Sequence, residues 1–150
     1  MRMRAVALLL SVLAGLAVAV PAAAAQQPAD PAALAAFAAQ AGLRDVAGFV
    51  ETVQSLRSAH QLPPRYVVKR AAEAHGWHGG GLCEAWPGHV IGGDVFHDAG
   101  GKLLIVPGGL YREADLDESC SSRGAKRLIF SNDGLIFVTV DHYASFRRLD

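Results

Sequence analysis

The sequence has only two cysteines in 150 residues and no Cys-x-x-Cys pair, so the familiar zinc and thioredoxin-type sites are excluded. An excess of one charge is also missing. Lys and Arg number 14 against 14 Asp and Glu, and no run of like charge breaks the balance, so composition alone carries no footprint of a nucleic-acid binder. No internal repeat is visible. Beyond the N-terminal leader no apolar run is long enough to cross a bilayer. His78-Gly79-Gly80-Gly81 resembles an esterase oxyanion loop, but the Gly-x-Ser-x-Gly nucleophile motif is absent, which removes serine-hydrolase chemistry.

What is present begins with a leader. Met1-Arg2-Met3-Arg4 precedes an apolar stretch from Ala5 to Val20, then Pro21 and the small residues Ala22 to Ala25, the layout of a secretory signal peptide cleaved after Ala25. The expected location is therefore extracellular, with no membrane anchor. Of the 14 basic residues, Arg2 and Arg4 leave with the leader, so the mature chain carries 12 basic against 14 acidic groups. Export to an oxidising compartment makes a Cys83–Cys120 disulfide the natural reading. Closing a loop of that length stabilises by about 3–4 kcal/mol in the chain-entropy description.

Residues 26–44 are alanine-rich with Pro28 and Pro31, and offer Leu34 and Phe37 to a core; they read as a mobile or partly helical leader. The folded domain is expected from residue 45 to 150. Val46, Phe49, Val50, Val53 and Leu56 recur at helical spacing after Asp45, and Pro63-Pro64 stops the pattern. His60 then stands at the C-terminal end of that helix, where the dipole favours a cation. A second helix is expected over Lys69 to His75, closed by Gly76, and there is room for a helical turn at Leu82 to Trp86. Beyond Pro87 the texture becomes strand-like at Val90–Phe96, Leu110–Leu116, Lys126–Ser131 and Leu135–Val140, with Asn132-Asp133-Gly134 as a hairpin turn. Helices followed by consecutive strands with short turns indicate an α+β domain, N-terminal helices packed on an antiparallel sheet. One face of that sheet is left for solvent and substrate.

Several strings then occur in a telling order. Leu62-Pro63, Tyr66-Val67-Val68-Lys69, Gly76-Trp77, Pro87-Gly88, Ile91-Gly92-Gly93-Asp94-Val95-Phe96, Gly101-Lys102-Leu103, Arg112-Glu113-Ala114-Asp115 and Asp141-His142-Tyr143 follow one another over residues 46–150. Each is weak alone. Together they resemble the barnase-type secreted microbial ribonucleases. The resemblance implies that family's fold, helices on a twisted antiparallel sheet whose exposed face binds RNA, and a monomer needing no cofactor. It also implies a barstar-like protein inhibitor with acidic side chains.

RNA carries its own nucleophile, the ribose 2′-OH beside the scissile phosphate. Cleavage needs a base for that proton, an acid for the departing 5′-oxygen, and cations for the phosphorane; no metal is required. By resemblance Glu113 is the base and His142 the acid. Lys69, Arg123 and Arg127 are the phosphate cations, Asp94 supports the cationic cluster, and Phe96, His97, Asp98 and Tyr143 surround the base. From the residues alone, Glu113 shares strand parity with Tyr111 and Asp115 and opposes Leu110 and Leu116, so a polar set faces a groove while an apolar set faces the core.

One departure matters. Relatives carry Ser-Asn-Arg-Glu-Gly after the phenylalanine, with backbone amides and a glutamate holding guanine. This chain has His97-Asp98-Ala99-Gly100-Gly101, so Gly100 replaces the glutamate and Ala99 the arginine. A relaxed or altered base preference is expected, with Asp98 a possible substitute. Two rival readings compete. His75, His78, His89 and His97 invite a metal site, but their glycine-rich surroundings give no rigid scaffold and no carboxylate at ligand spacing. A catalytically weak RNA-binding or toxin-like module of the same fold is the other, opposed by the presence of both Glu113 and His142.

Overall fold

The computed structural model describes residues 30–104 and 108–149. The predicted signal peptide over residues 1–25 lies outside them. Among the described residues, no helix is long and apolar enough to cross a membrane.

The chain order is α1 (Pro31–Gln40), α2 (Val46–Ala59), β1 (Tyr66–Val67), α3 (Lys69–Ala74), β2 (Val90–Val95), β3 (Tyr111–Asp115), β4 (Arg127–Ser131), β5 (Ile136–Thr139) and β6 (Arg147–Leu149). The six strands form one sheet in sequence order; β1 pairs with β2 in parallel and every later neighbour is antiparallel. The expected α+β architecture is present. The two-residue β1 and the three-residue β6 are additions to the four expected strands, too short to show an alternation.

Residues 26–44 were expected as a mobile or partly helical leader, and over the described residues 30–44 the helical alternative is the one present. Pro31–Gln40 is a regular helix, with Pro31 in its first turn and the Asp30 carboxylate accepting the Ala32 N–H at 3.0 Å. Leu34, Ala38 and Leu43 are buried in the main core, and the Phe37 ring stacks on Phe49 at 5.9 Å. The reason is size. Alanine lets α1 approach α2 closely, and the small buried face is completed by a few larger side chains. α1 is thus part of the domain.

α2 carries the apolar stripe read from the sequence. Phe49, Val53 and Leu56 face Leu116, Leu128, Ile136 and Val138 from one side of the sheet. Each fully buried side chain of this size contributes about 1.5–3 kcal/mol relative to exposure. Asp45 caps the start by accepting the Gly48 N–H at 2.9 Å, and His60 ends the helix in the left-handed region, at φ 55°. Gly76, at φ 86°, ends α3. At Leu82–Trp86 a single turn forms, closed by the Trp86 N–H to the Leu82 carbonyl at 2.8 Å.

The opposite sheet face carries a smaller cluster, Leu103, Ile129 and Phe137 with Phe96, Tyr111, Tyr143 and Phe146 against it. Register sets two rows on this face. Glu113, Ile129, Phe137 and Arg148 lie across β3 to β6, and Asp115, Arg127 and Thr139 form the neighbouring row. The predicted parity of Glu113 and Asp115 therefore holds, with Leu116 in the core as expected, whereas Leu110, just before the strand, is exposed. Between Gly92 and Asp94 the β2–β3 register shifts, with Gly93 at φ 101°. A bulge of this kind turns a side chain to a new direction. Gly92 is required there for space, because a Cβ would sit 2.6 Å from the Tyr66 ring.

Cys83 and Cys120 form a disulfide. It joins the loop before β2 to the loop after β3. Glu118 reinforces the same junction by accepting the Leu82 N–H, and the Ile91 N–H at 3.3 Å.

Candidate active site

Glu113 lies in the middle strand region with only 7% of its surface exposed. Its two oxygens have separate partners. Lys69 Nζ donates to Oε1 at 3.0 Å, and the Tyr143 hydroxyl donates to Oε2 at 2.6 Å. Burial opposes ionisation of this carboxyl, but the hydrogen bonds from Tyr143 and Lys69 and the charges of Lys69 and Arg123 outweigh it, holding Glu113 below its ordinary value of 4.5. Burial, then the bond to Glu113, pushes the Tyr143 phenol up to about 12. Tyr143 therefore stays a neutral donor across the physiological range.

Lys69 reaches Glu113 because it opens α3. Val68 precedes that helix with no side-chain cap bond, and the cap is instead supplied from the sheet, where Asp94 Oδ2 accepts the Lys69 N–H at 2.9 Å. Asp94 thus meets the predicted cationic cluster through the lysine main chain. The bulge at Gly92–Asp94 is what aims it there.

The next row holds Arg127, and Arg123 reaches it from the loop before β4. Arg123 grips Asp115 through Nε at 2.6 Å and Nη2 at 2.8 Å, and Arg127 Nε lies 2.9 Å from Asp115 Oδ1. Asp115 is fully enclosed and Arg127 nearly so, with side-chain exposures of 0% and 4%. Burial pushes Asp115 up against the pull of both guanidiniums, and its carboxylate in turn raises Arg123. Arg127 Nη1 donates to the Lys126 and Arg123 carbonyls at 2.7 and 3.2 Å. Asp115 is the member of this group that the motif reading did not single out. Its signal was available, since it shares the face of Glu113 and falls opposite Arg127.

His142 is exposed on the turn after β5. Its ring lies 5.0 Å from that of Tyr143, whose hydroxyl is on Glu113, so one aromatic side chain touches both residues of the expected acid–base pair. His142 and Tyr143 are both left-handed, at φ 56° and 67°, and the turn closes from the Ala144 N–H to the Asp141 carbonyl at 3.4 Å. Two such non-glycine residues in succession are costly and persist only when their surroundings hold them. Here Asp141 accepts from Thr139 Oγ1 at 2.9 Å, the Ser145 N–H at 2.9 Å and the Ser145 hydroxyl at 2.5 Å. Those bonds, first the one from the Ser145 hydroxyl, lower the Asp141 carboxyl to about 2. Thr139 Oγ1 accepts the Tyr143 N–H at 3.0 Å, and the His142 N–H reaches the Ala125 carbonyl at 3.2 Å.

Phe96 stacks on Tyr143 at 5.3 Å, so these two predicted base neighbours form one aromatic platform beside Glu113. His97 is exposed at the start of the following loop. Asp98 is turned inward, with Oδ2 accepting the Leu103 N–H at 2.7 Å. It shapes its own loop. Of the histidines weighed for a metal, His75 stacks on Trp86 at 3.5 Å and His89 lies tilted against the same ring at 4.3 Å. Among the described residues no group of three or more His, Cys, Asp or Glu gathers in a way that could hold an ion.

The sequence profile of the ribonuclease family matches residues 50–150. A ribonuclease of Heyndrickxia coagulans is 45% identical over 91 residues, which make up 59% of this chain and 84% of that protein. Ribonucleases of Bacillus intermedius and Bacillus pumilus are likewise 45% identical over 91 residues, 59% of this chain and 56% of theirs. The match spans little more than half the length of those two relatives. The family match begins inside α2, so α1 precedes it.

Proposed function

The chain belongs to the ribonuclease family and is an endoribonuclease, and on that premise we propose that it cuts single-stranded RNA by transesterification to a 2′,3′-cyclic phosphate. Glu113 takes the 2′-OH proton, the 2′-oxygen attacks phosphorus, and the bond to the 5′-oxygen breaks as His142 protonates it. The observation that carries this reading is the buried, doubly hydrogen-bonded Glu113 beside a lysine and next to the Asp115–Arg123–Arg127 cluster.

The electrostatics fit these steps. Glu113 is held ionised, ready to accept. A phosphate entering beside Lys69 competes for its ammonium and so raises the basicity of Glu113 when a proton must be taken. Arg123 and Arg127 are fixed before substrate arrives, and guanidinium forks held in place stabilise the charge that develops on the phosphorane without reorganising. Asp115 sets their position.

Phe96 and Tyr143 offer a stacking surface to an unpaired base. Gly100 and Ala99 bring no carboxylate or guanidinium to its edge, and Asp98 is engaged with the Leu103 amide. The reading is therefore relaxed guanine preference with intact chemistry. Export is supported by the leader sequence and by the disulfide, and the cationic site suits an acidic protein inhibitor of the barstar kind acting on a monomeric enzyme.

The test is digestion of a defined RNA in excess chelator, with product ends identified. Wild type is expected to leave 2′,3′-cyclic phosphate ends, while Glu113→Ala and His142→Ala are each expected to slow cleavage by about 10²- to 10⁴-fold. Undiminished cleavage by both variants overturns the assignment.

A further inference from the structure

Lys102 belongs to the loop that follows Phe96, yet its ammonium is used 41 and 42 residues away. Nζ donates to the Tyr143 carbonyl at 3.0 Å and to the Ala144 carbonyl at 2.8 Å. These are the main-chain oxygens of the strained turn that presents His142. The lysine stem runs back over its own loop, such that a Cβ at Gly100 would meet three of its methylenes at 3.4–3.6 Å. Phe96, at the other end of the same loop, stacks on the Tyr143 ring. The loop is closed internally by the Gly101 N–H to the Asp98 carbonyl at 3.0 Å and the Leu103 N–H to the Asp98 carboxylate at 2.7 Å. A compact loop therefore grips one turn at two points.

From this geometry we infer that Lys102 is a positioning residue, coupling the base-binding loop to the His142–Tyr143 turn so that the general acid and the Tyr143 hydroxyl are held over the phosphodiester. The inference rests on the acid–base reading above. Thr139, Asp141 and Ala125 hold the turn from its own strand end and from the segment before β4. Lys102 holds it from the side of the loop that follows Phe96. Its two acceptors are carbonyls of consecutive residues, and one belongs to the residue whose side chain bonds Glu113. Loss of the ammonium frees that edge of the turn, and left-handed His142 and Tyr143 can then relax away from the geometry that chemistry requires. Misplacement by about 1 Å can cost on the order of 10²-fold in rate.

The experiment compares Lys102→Met, which keeps the stem over Gly100 without the donor, with Lys102→Arg. Steady-state kinetics on dinucleotide substrates are read beside amide and histidine-ring NMR spectra. Lys102→Met is expected to lower kcat by about 10- to 100-fold with KM little changed, with partial recovery in Lys102→Arg. The Asp141–Ser145 amides and the His142 ring resonances are expected to shift. A raised KM with kcat intact and a shallower salt dependence would make Lys102 a phosphate-binding cation and overturn the proposal; so would unmoved resonances at residues 141–145. Because those resonances are read without turnover, failure of the tether is distinguished from failure of the acid–base reading, which Glu113→Ala and His142→Ala report.

Discussion

Asp115→Asn removes one charge from the most enclosed ion cluster among the described residues while keeping its shape. In the folded state Asp115 is balanced by Arg123 and Arg127, and Arg127 is only 4% exposed. Without the carboxylate, Arg127 has no anionic partner in its row and keeps two main-chain carbonyls as acceptors. Breaking a buried pair by removing one partner costs about 3–5 kcal/mol. The asparagine oxygen can still accept from Arg123, which places the expected loss near the lower end. Total stability for a domain of this size is about 5–15 kcal/mol, so the variant remains folded but weakened. With an m value of about 2 kcal/mol/M in urea, a loss of about 3 kcal/mol moves the unfolding midpoint by roughly 1.5 M. Urea titration followed by tryptophan fluorescence measures it. The double variant Asp115→Asn, Arg127→Gln should recover part of the loss, because the uncompensated charge is gone. A midpoint shift below about 0.3 M, or a double variant no better than the single one, refutes the claim that these groups depend on one another.

Three further outcomes follow from the same geometry. In the wild type the base must be ionised, so kcat/KM falls as pH drops through the Glu113 pKa, and that acid limb is expected below pH 4.5; Tyr143→Phe deletes a donor to the carboxylate and should move the limb upward, and an unchanged limb counts against the bond. Reducing the Cys83–Cys120 bridge, which spans a separation of 37 residues, should cost about 3–4 kcal/mol, seen as a lowered urea midpoint in dithiothreitol; an unmoved midpoint contradicts it. Gly100→Glu should raise the guanine preference in rates on the four dinucleotide steps, since a Cβ there meets Lys102 only at ordinary contact distances, and equal rates on all four steps would show that the loop cannot use the restored carboxylate.

The fold was legible where periodicity was strong. Phe49, Val53 and Leu56 announced α2 and its buried stripe, and the alternation Tyr111, Glu113, Asp115 announced which face of β3 would carry polar groups. α1 was not legible, because alanine has no distinctive periodicity and Leu34 and Ala38 become core only once α2 is in place. β1 and β6 were hidden by their shortness. Within the site, linear motifs marked Glu113 and His142 and the cations near them. They could not reveal how those groups are held: Asp94 capping α3 through the Lys69 amide and Lys102 bridging two loops are contacts between segments distant in sequence. Asp98 shows the converse. Its place in the loop, by resemblance, suggested a base contact, and what sequence could not show is that its carboxylate also accepts the Leu103 amide.

The assignment of base to Glu113 and acid to His142 is tested most directly with two substrates that differ only in leaving group, a natural ribodinucleotide and a ribonucleoside 3′-(4-nitrophenyl phosphate). Nitrophenolate departs without a proton, so His142→Ala should lose about 10²- to 10⁴-fold on the dinucleotide and little on the nitrophenyl ester, while Glu113→Gln should lose heavily on both. Equal losses by His142→Ala on the two substrates would contradict the account.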